Sequence, residues 1–278
     1  MKRVYITFGG AAYDATTAKI VQDGPRLGAD EVRVYDDRWL ISHPFYQLNR
    51  WIFDREPKFG MGWCCWKPLI ILEEMKRIDM GDLVLYTDAD TFPIADLTPI
   101  FNLCLRDHIT LFEAQGCLHN RFTKRDCLLV MNADKPESRD TVMACGRFQL
   151  FQKGSWRVMQ FLYEWLTYNL NPLCQFSDKP EYPWPSSVPA LYEEPLSIET
   201  GDWPAPEYPT FARHSAEQSV LGLLALRYGI KLHREACQYG WPAQPNAGQP
   251  EDTYPQLFEQ RYCAGDRTDV SGSRYRNV

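Results

Sequence analysis

The sequence predicts an α/β domain, an open sheet with helices packed on both faces. Strand-like apolar runs alternate with helix-period stretches through the first half of the chain, the pattern of such a sheet. The strongest strand signal, Leu83 to Thr87, runs directly into Asp88-Ala89-Asp90. Ligands of open α/β sheets bind beyond the carboxyl ends of the strands, so these aspartates fall at a functional edge. At 278 residues with 45% hydrophobic residues, the chain can bury a full core without disulfides.

The elements follow in order. Arg3 to Phe8 reads as a short buried strand that ends in Gly9-Gly10. A polar helical stretch comes next and closes at Gly24-Pro25. Val32 to Tyr35 is a second strand, ending in Asp36-Asp37. From Pro44 to Asp54 apolar residues recur at helical spacing, at Phe45, Leu48 and Ile52. Gly60-Met61-Gly62 marks a turn, and Pro68 stands where the first turn of a helix accepts proline. Leu69, Leu72, Met75 and Ile78 give that helix one apolar face, with Gly81 as its predicted stop.

Further along, Ile109 to Phe112 and Phe148 to Phe151 read as strands. Ser155 is a good N-cap for a helix through Leu170, with Val158, Phe161, Leu162 and Trp165 on one side. The stretch 171–210 holds nine of the 20 prolines and many aromatics, and it resists regular assignment. A long loop in a compact domain is usually functional or disordered, so it reads as an acceptor side or a lid. Ser215 to Tyr228 is a helix ended by Gly229, and Ile230 to His233 a short strand. The expectation is one domain over 1–265 and a flexible polar tail over 266–278.

Composition narrows the function classes. The net charge is -6 and basic runs are absent, which excludes the footprint of a nucleic-acid binder. Apolar stretches fall well short of the ~20 residues of a membrane span, although peripheral membrane contact stays open. MKRVYITFGG enters a strand at once and lacks the apolar core of a secretion signal. The nine cysteines are scattered without a CxxC pair, so reduced thiols and a cytoplasmic location are expected. Aromatics reach 14%, rings that stack on sugars and bases and equally fill cores. GxSxG, P-loop and HExxH patterns are missing, and Gly9-Gly10 is too poor in glycine for a dinucleotide fingerprint.

The chemistry centres on Asp88 and Asp90. Residues two apart on an extended segment point the same way, so two carboxylates converge on one hard cation. Mn²⁺ or Mg²⁺ held there would neutralise a departing diphosphate. Phe8, Gly9 and Asp36-Asp37 end the first strands and are candidates for a nucleotide base. A carboxylate there accepts from a pyrimidine N–H, and a plain turn is the alternative for the Asp pair.

Gly60-Met-Gly-Trp-Cys-Cys-Trp66-Lys67-Pro68, the helix after it and GDLVLYTDAD resemble the donor half of GT-A-fold glycosyltransferases. They are similar in particular to a bacterial group with a Gly-x-Gly-x-x-x-Trp-Lys-Pro element, used in surface-polysaccharide assembly, and also to glycosyltransferase family 8. The resemblance implies a GT-A-like (Rossmann-like) mixed sheet with Trp66 and Lys67 beside the donor. A cation at a helix start opposes the macrodipole, which favours an anionic partner for Lys67.

Phe211-Ala-Arg-His214-Ser-Ala-Glu217-Gln218-Ser resembles the His-Arg-x-Asp-Gln-Ser element of the same group. The resemblance places Glu217 and Gln218 in the sugar pocket as catalytic candidates, with His214 near the donor. Glu217 stands where Asp is usual and Ser215 where Arg is usual. Ser215 and Gln218 also have the spacing of a capping box, a purely structural alternative. Thr123-Lys124-Arg125-Asp126 matches a third segment and makes Lys124 a donor-binding candidate; an exposed turn is the alternative. Family 8 uses a late histidine as third metal ligand, for which His214 and His233 are the candidates here.

The expected activity is metal-dependent transfer of a sugar from a nucleotide-sugar, UDP-linked by preference, to a hydroxyl of a glycan or other acceptor. A sugar nucleotidyltransferase is the neighbouring alternative, although no Arg or Lys follows Gly9-Gly10 until Lys19. A non-catalytic carbohydrate-binding protein is the alternative from another class.

Overall fold

The computed structural model describes residues 1–10, 13–55, 60–176, 205–237 and 252–260. Its main sheet contains β1 (Arg3–Phe8), β2 (Glu31–Tyr35), β3 (Leu83–Asp88), β5 (Ile109–Thr110) and β8 (Phe148–Gln152). The strand order is β2-β1-β3-β8-β5. β1 is parallel to β2 and β3, while β8 is antiparallel to β3 and β5, so the sheet is open and mixed. Two antiparallel pairs flank it, β4 (Thr91–Pro93) with β9 (Phe258–Gln260) and β6 (Glu113–Leu118) with β7 (Val142–Ala144).

The helices of the first half are α1 (Asp14–Asp23), α2 (Asp37–Ser42), α3 (Pro44–Leu48), α4 (Arg50–Arg55), the single turn α5 (Gly60–Trp63) and α6 (Lys67–Arg77). After them come α7 (Thr98–Asp107), α8 (His119–Phe122), α9 (Arg125–Val130), α10 (Pro136–Arg139), α11 (Trp156–Asn169), α12 (Pro172–Gln175) and α13 (Ala216–Arg227).

The period of two along each strand sorts the core into two layers. Val4, Ile6, Val84 and Tyr86 face α6, α11 and α13. Tyr5, Leu83 and Leu85 face the other way, onto Ile20 of α1 and Ile100, Phe101 and Cys104 of α7. β1 and β3 are therefore buried on both sides, which is why they read as continuous apolar runs. The expected open sheet with helices on both faces is the observed one.

Several boundaries differ from expectation. The helix expected over Pro44 to Asp54 breaks at Asn49 into α3 and α4, and the Asn49 side-chain amide donates to the Phe45 carbonyl. α6 stops at Arg77, before Gly81; Gly81 (φ +88) instead makes the turn into β3. The strand expected to Phe112 ends at Thr110, and Ile230 to His233 is no strand: Phe112 and His233 meet in an isolated bridge. Short strands survive only with a partner along their length, and here the chain departs after one pairing.

Ser155 caps α11 as expected, accepting from the Arg157 N–H. The stretch 171–210 contributes α12, its middle, 177–204, lies outside the described residues, and so does the expected tail over 266–278. The eight cysteines among the described residues are all free thiols. Within the same residues, no helix is long and apolar enough to cross a membrane.

Candidate active site

The carboxyl ends of β1, β2 and β3 come level through their registers, Phe8 opposite both Tyr35 and Asp88. Phe8, Gly9, Asp36 and Asp88 thus share one edge of the sheet. Gly9 packs so tightly that an added Cβ would lie 2.9 Å from the Ala89 side chain and 2.7 Å from Thr17. Phe8 stacks on Trp66, ring centroids 3.8 Å apart, which ties the turn before α6 to the end of β1. Asp36 caps α2 rather than a plain turn, one of its oxygens accepting from the Trp39 N–H at 2.8 Å.

Lys67 opens α6 at 2% exposure. The turn that delivers it is strained: Met61, Gly62, Trp63 and Cys64 all have positive φ. Left-handed non-glycine residues cost about 1–2 kcal/mol each and persist only where the surroundings hold them. Here the Gln175 amide donates to the carbonyls of Gly62 (3.0 Å) and Trp63 (2.8 Å).

The Lys67 ammonium donates to Glu217 Oε1 at 2.7 Å and to the Gly146 carbonyl at 2.9 Å, and it forms an ion pair with Asp88 Oδ1 at 2.9 Å. Burial works against its charge, yet Asp88 and Glu217 outweigh it and hold the amine well above the usual lysine range. Three segments far apart in sequence therefore meet on one nitrogen.

Glu217 is 7% exposed and lies in the first turn of α13, after Ala216 with φ +43. Burial pushes its carboxyl up to about 7; Lys67 counters the rise and Asp88 adds to it. Its Oε2 is buried without a hydrogen-bond partner. The capping box is not formed: the Ser215 side chain caps nothing, and Gln218 Oε1 accepts from the Gly146 N–H at 3.2 Å. Both catalytic candidates thus close on Gly146, whose absent side chain is a requirement. A Cβ there would sit 2.9 Å from Glu217 Oε1 and 3.3 Å from the Gln218 Cβ. Gly146→Ala is expected to cost about 1–3 kcal/mol by overpacking, read as a lower urea midpoint at unchanged slope.

Asp88 Oδ1 also accepts from the Tyr86 hydroxyl at 2.7 Å, and its backbone N–H donates to the Arg147 carbonyl at 2.8 Å. The Asp88 side chain stays 30% exposed. Asp90 accepts from Thr91 Oγ1 through Oδ1 (2.9 Å) and from Gln260 Nε2 through Oδ2 (2.8 Å). Burial and the Asp88 charge raise its pKa. Among the described residues, no group of three or more His, Cys, Asp or Glu is placed to hold a metal. Asp88 and Asp90 are the carboxylates that could ligate a cation, and the Gln260 amide faces Asp90 through its Nε2.

Lys124 and His214 form a separate cluster. His214 Nδ1 accepts from the Lys124 N–H at 3.2 Å, and its Nε2 lies 2.7 Å from the Cys174 carbonyl, the donor's place. Burial lowers the ring to about 3, so it is a neutral link between backbone groups. Lys124 is 2% exposed, which excludes the exposed-turn alternative. Burial lowers its amine, which has no hydrogen-bond partner; Asp126 and Glu207 are among the charges that counter the shift. His233 lies between Asp252 (2.6 Å) and Asp107 (2.9 Å), both ring nitrogens taken. Neither histidine is placed as a third ligand.

Sequence reading missed Tyr86, Gly146, Arg147 and Gln260. Tyr86 was within reach, since it precedes Asp88 by two on a strand and shares its face. The other three become visible only once β8 and β9 are paired. A cavity of about 270 Å³ lined by Asp107, His108, Arg157 and Lys231 lies at the opposite end of the sheet and holds none of these residues.

No family model matches the chain, and no curated protein matches it. Solved structures give distant likenesses. The apo WbbM bifunctional glycosyltransferase is 11% identical over 61% of this chain and 35% of its own, at a TM-score of 0.39. Mouse xyloside xylosyltransferase 1 is 10% identical over 86% of both chains, at 0.40. The glycosyltransferase GlyE of Streptococcus pneumoniae TIGR4 is 15% identical over 86% of this chain and 46% of its own, at 0.35. With TM-scores below 0.5, these likenesses carry no argument about the activity of this chain.

Proposed function

We propose that this protein is a metal-dependent glycosyltransferase that takes a sugar from a nucleotide-sugar, UDP-linked by preference, and gives it to a hydroxyl acceptor. One observation carries the reading: Lys67 joins Asp88 of the Asp-Ala-Asp edge to Glu217 at the head of α13. An aspartate of the proposed metal pair, a buried lysine and a carboxylate of raised pKa meet at the end of the parallel strands.

Asp88 and Asp90 would hold Mn²⁺ or Mg²⁺, which supplies charge neutralisation at the diphosphate. Phe8, Gly9 and Asp36 lie where the nucleoside end of the donor would sit, against the Phe8–Trp66 stack. Glu217 and Gln218, fixed around Gly146, would face the transferred sugar. The unpartnered Glu217 Oε2 is the group available to accept a proton or to stabilise positive charge at the anomeric carbon.

Calorimetric titration with UDP and with GDP, in Mn²⁺ and in EDTA, tests the proposal on wild type and Asp90→Ala. One nucleotide is expected to bind only with metal, and Asp90→Ala to lose at least about tenfold of that affinity. Equal binding in EDTA, or none in Mn²⁺, sinks the reading. Turnover of a nucleoside triphosphate with a sugar phosphate would instead indicate the nucleotidyltransferase.

A further inference from the structure

Gln260 ends β9, and β9 is fixed by its pairing with β4, in which Gln260 lies opposite Thr91. That register brings the Gln260 side chain to Asp90, the residue before Thr91. Gln260 is 6% exposed, and its Nε2 donates to Asp90 Oδ2 at 2.8 Å. Its Oε1 is buried with no hydrogen-bond partner. Gln149, Asn169 and Gln175 also bury an amide oxygen without a partner, but their amides donate to backbone carbonyls, whereas that of Gln260 lies against a carboxylate of the Asp-Ala-Asp edge. A cation held by Asp90 and Asp88 would give that oxygen a partner. Hard divalent cations accept amide carbonyls in the same coordination shell as carboxylates.

We propose that Gln260 supplies, through Oε1, the third protein ligand of the divalent cation held by Asp88 and Asp90. The proposal rests on the metal-dependent reading above. Gln260 adds no charge to those of Asp88 and Asp90, and Lys67 already pairs with Asp88, so the loaded site repels a diphosphate less than a three-carboxylate site would. Nucleotide and metal should therefore strengthen each other's binding. The Nε2 bond gives Gln260 a second task, the orientation of Asp90, as outer partners of metal ligands commonly do. Docking of the β9 segment and completion of the metal site become one event.

Electron paramagnetic resonance of Mn²⁺, alone and with UDP, reads binding without any turnover. The variants are Gln260→Met, which keeps the length and loses the oxygen, and Gln260→Glu, which keeps an oxygen. Gln260→Met is expected to weaken Mn²⁺ at least ~10-fold. Gln260→Glu is expected to bind Mn²⁺ at least as tightly as wild type, and to decide the matter should the Met variant fold poorly. Wild-type Mn²⁺ affinity and spectrum in Gln260→Met, or equal loss in both variants, overturns the ligand assignment alone. Absence of Mn²⁺ binding by wild type, with UDP present, overturns the metal-dependent reading and this ligand with it.

Discussion

Lys67→Met is expected to destabilise the protein by about 3–5 kcal/mol near pH 8, the usual penalty for removing one partner of a buried ion pair. The lysine is 2% exposed, donates to Glu217 and the Gly146 carbonyl, and pairs with the Asp88 carboxylate. Methionine preserves most of the packing of the stem but leaves the Gly146 carbonyl bare and two carboxylates facing each other without a cation. Burial already pushes Glu217 up to about 7 with Lys67 present. Without the lysine, Glu217 should stay protonated to higher pH, so the penalty should shrink toward pH 5. Urea unfolding of both proteins at pH 5 and pH 8 measures this. A loss under 1 kcal/mol at both values would show that the three contacts contribute little.

Glu217→Gln should separate the stability role of this carboxyl from its chemistry. The folded-state pKa of about 7 lies above the ordinary 4.5. The native state therefore holds this proton more tightly than the unfolded chain does. Its contribution is fully present below about pH 4.5 and is lost as pH rises through about 7. Glu217→Gln removes the titration, so the stability profile of the variant should be flatter across that window. On the proposed function, the same change should lower sugar transfer by about 10²–10⁴-fold, and the acidic limb of the wild-type rate profile should lie near pH 7. A variant with wild-type turnover would remove Glu217 from the chemistry while leaving the stability prediction standing.

Local chemistry made the chain's architecture readable. β1 and β3 are buried on both faces and so appear as unbroken apolar runs. α11 carries its own N-cap and apolar stripe, and Pro68 announces the start of α6. Asp88 and Asp90 could be placed at a strand end because strand and loop chemistry change abruptly between Thr87 and Asp90. Boundaries set by pairing were illegible: β5 ends at Thr110 because the chain then leaves β8, and Leu111 and Phe112 turn to His233 in a single bridge.

The candidate site divides along the same line. The sequence by itself determined which residues carry charge and which strand end they occupy, since periodicity and composition are local properties. It left Ser215 and Gln218 equally suited to a capping box, and Lys124 equally suited to an exposed turn. Only the tertiary structure decided those cases. Gln218 turned to Gly146 because β7 and β8 bring that glycine against α13, and Lys124 is buried with His214 linking it to α12. The meeting of Lys67, Asp88 and Glu217, and of Asp90 with Gln260, spans 150 and 170 residues of sequence. Such contacts are fixed by sheet order and register, and no local propensity encodes them.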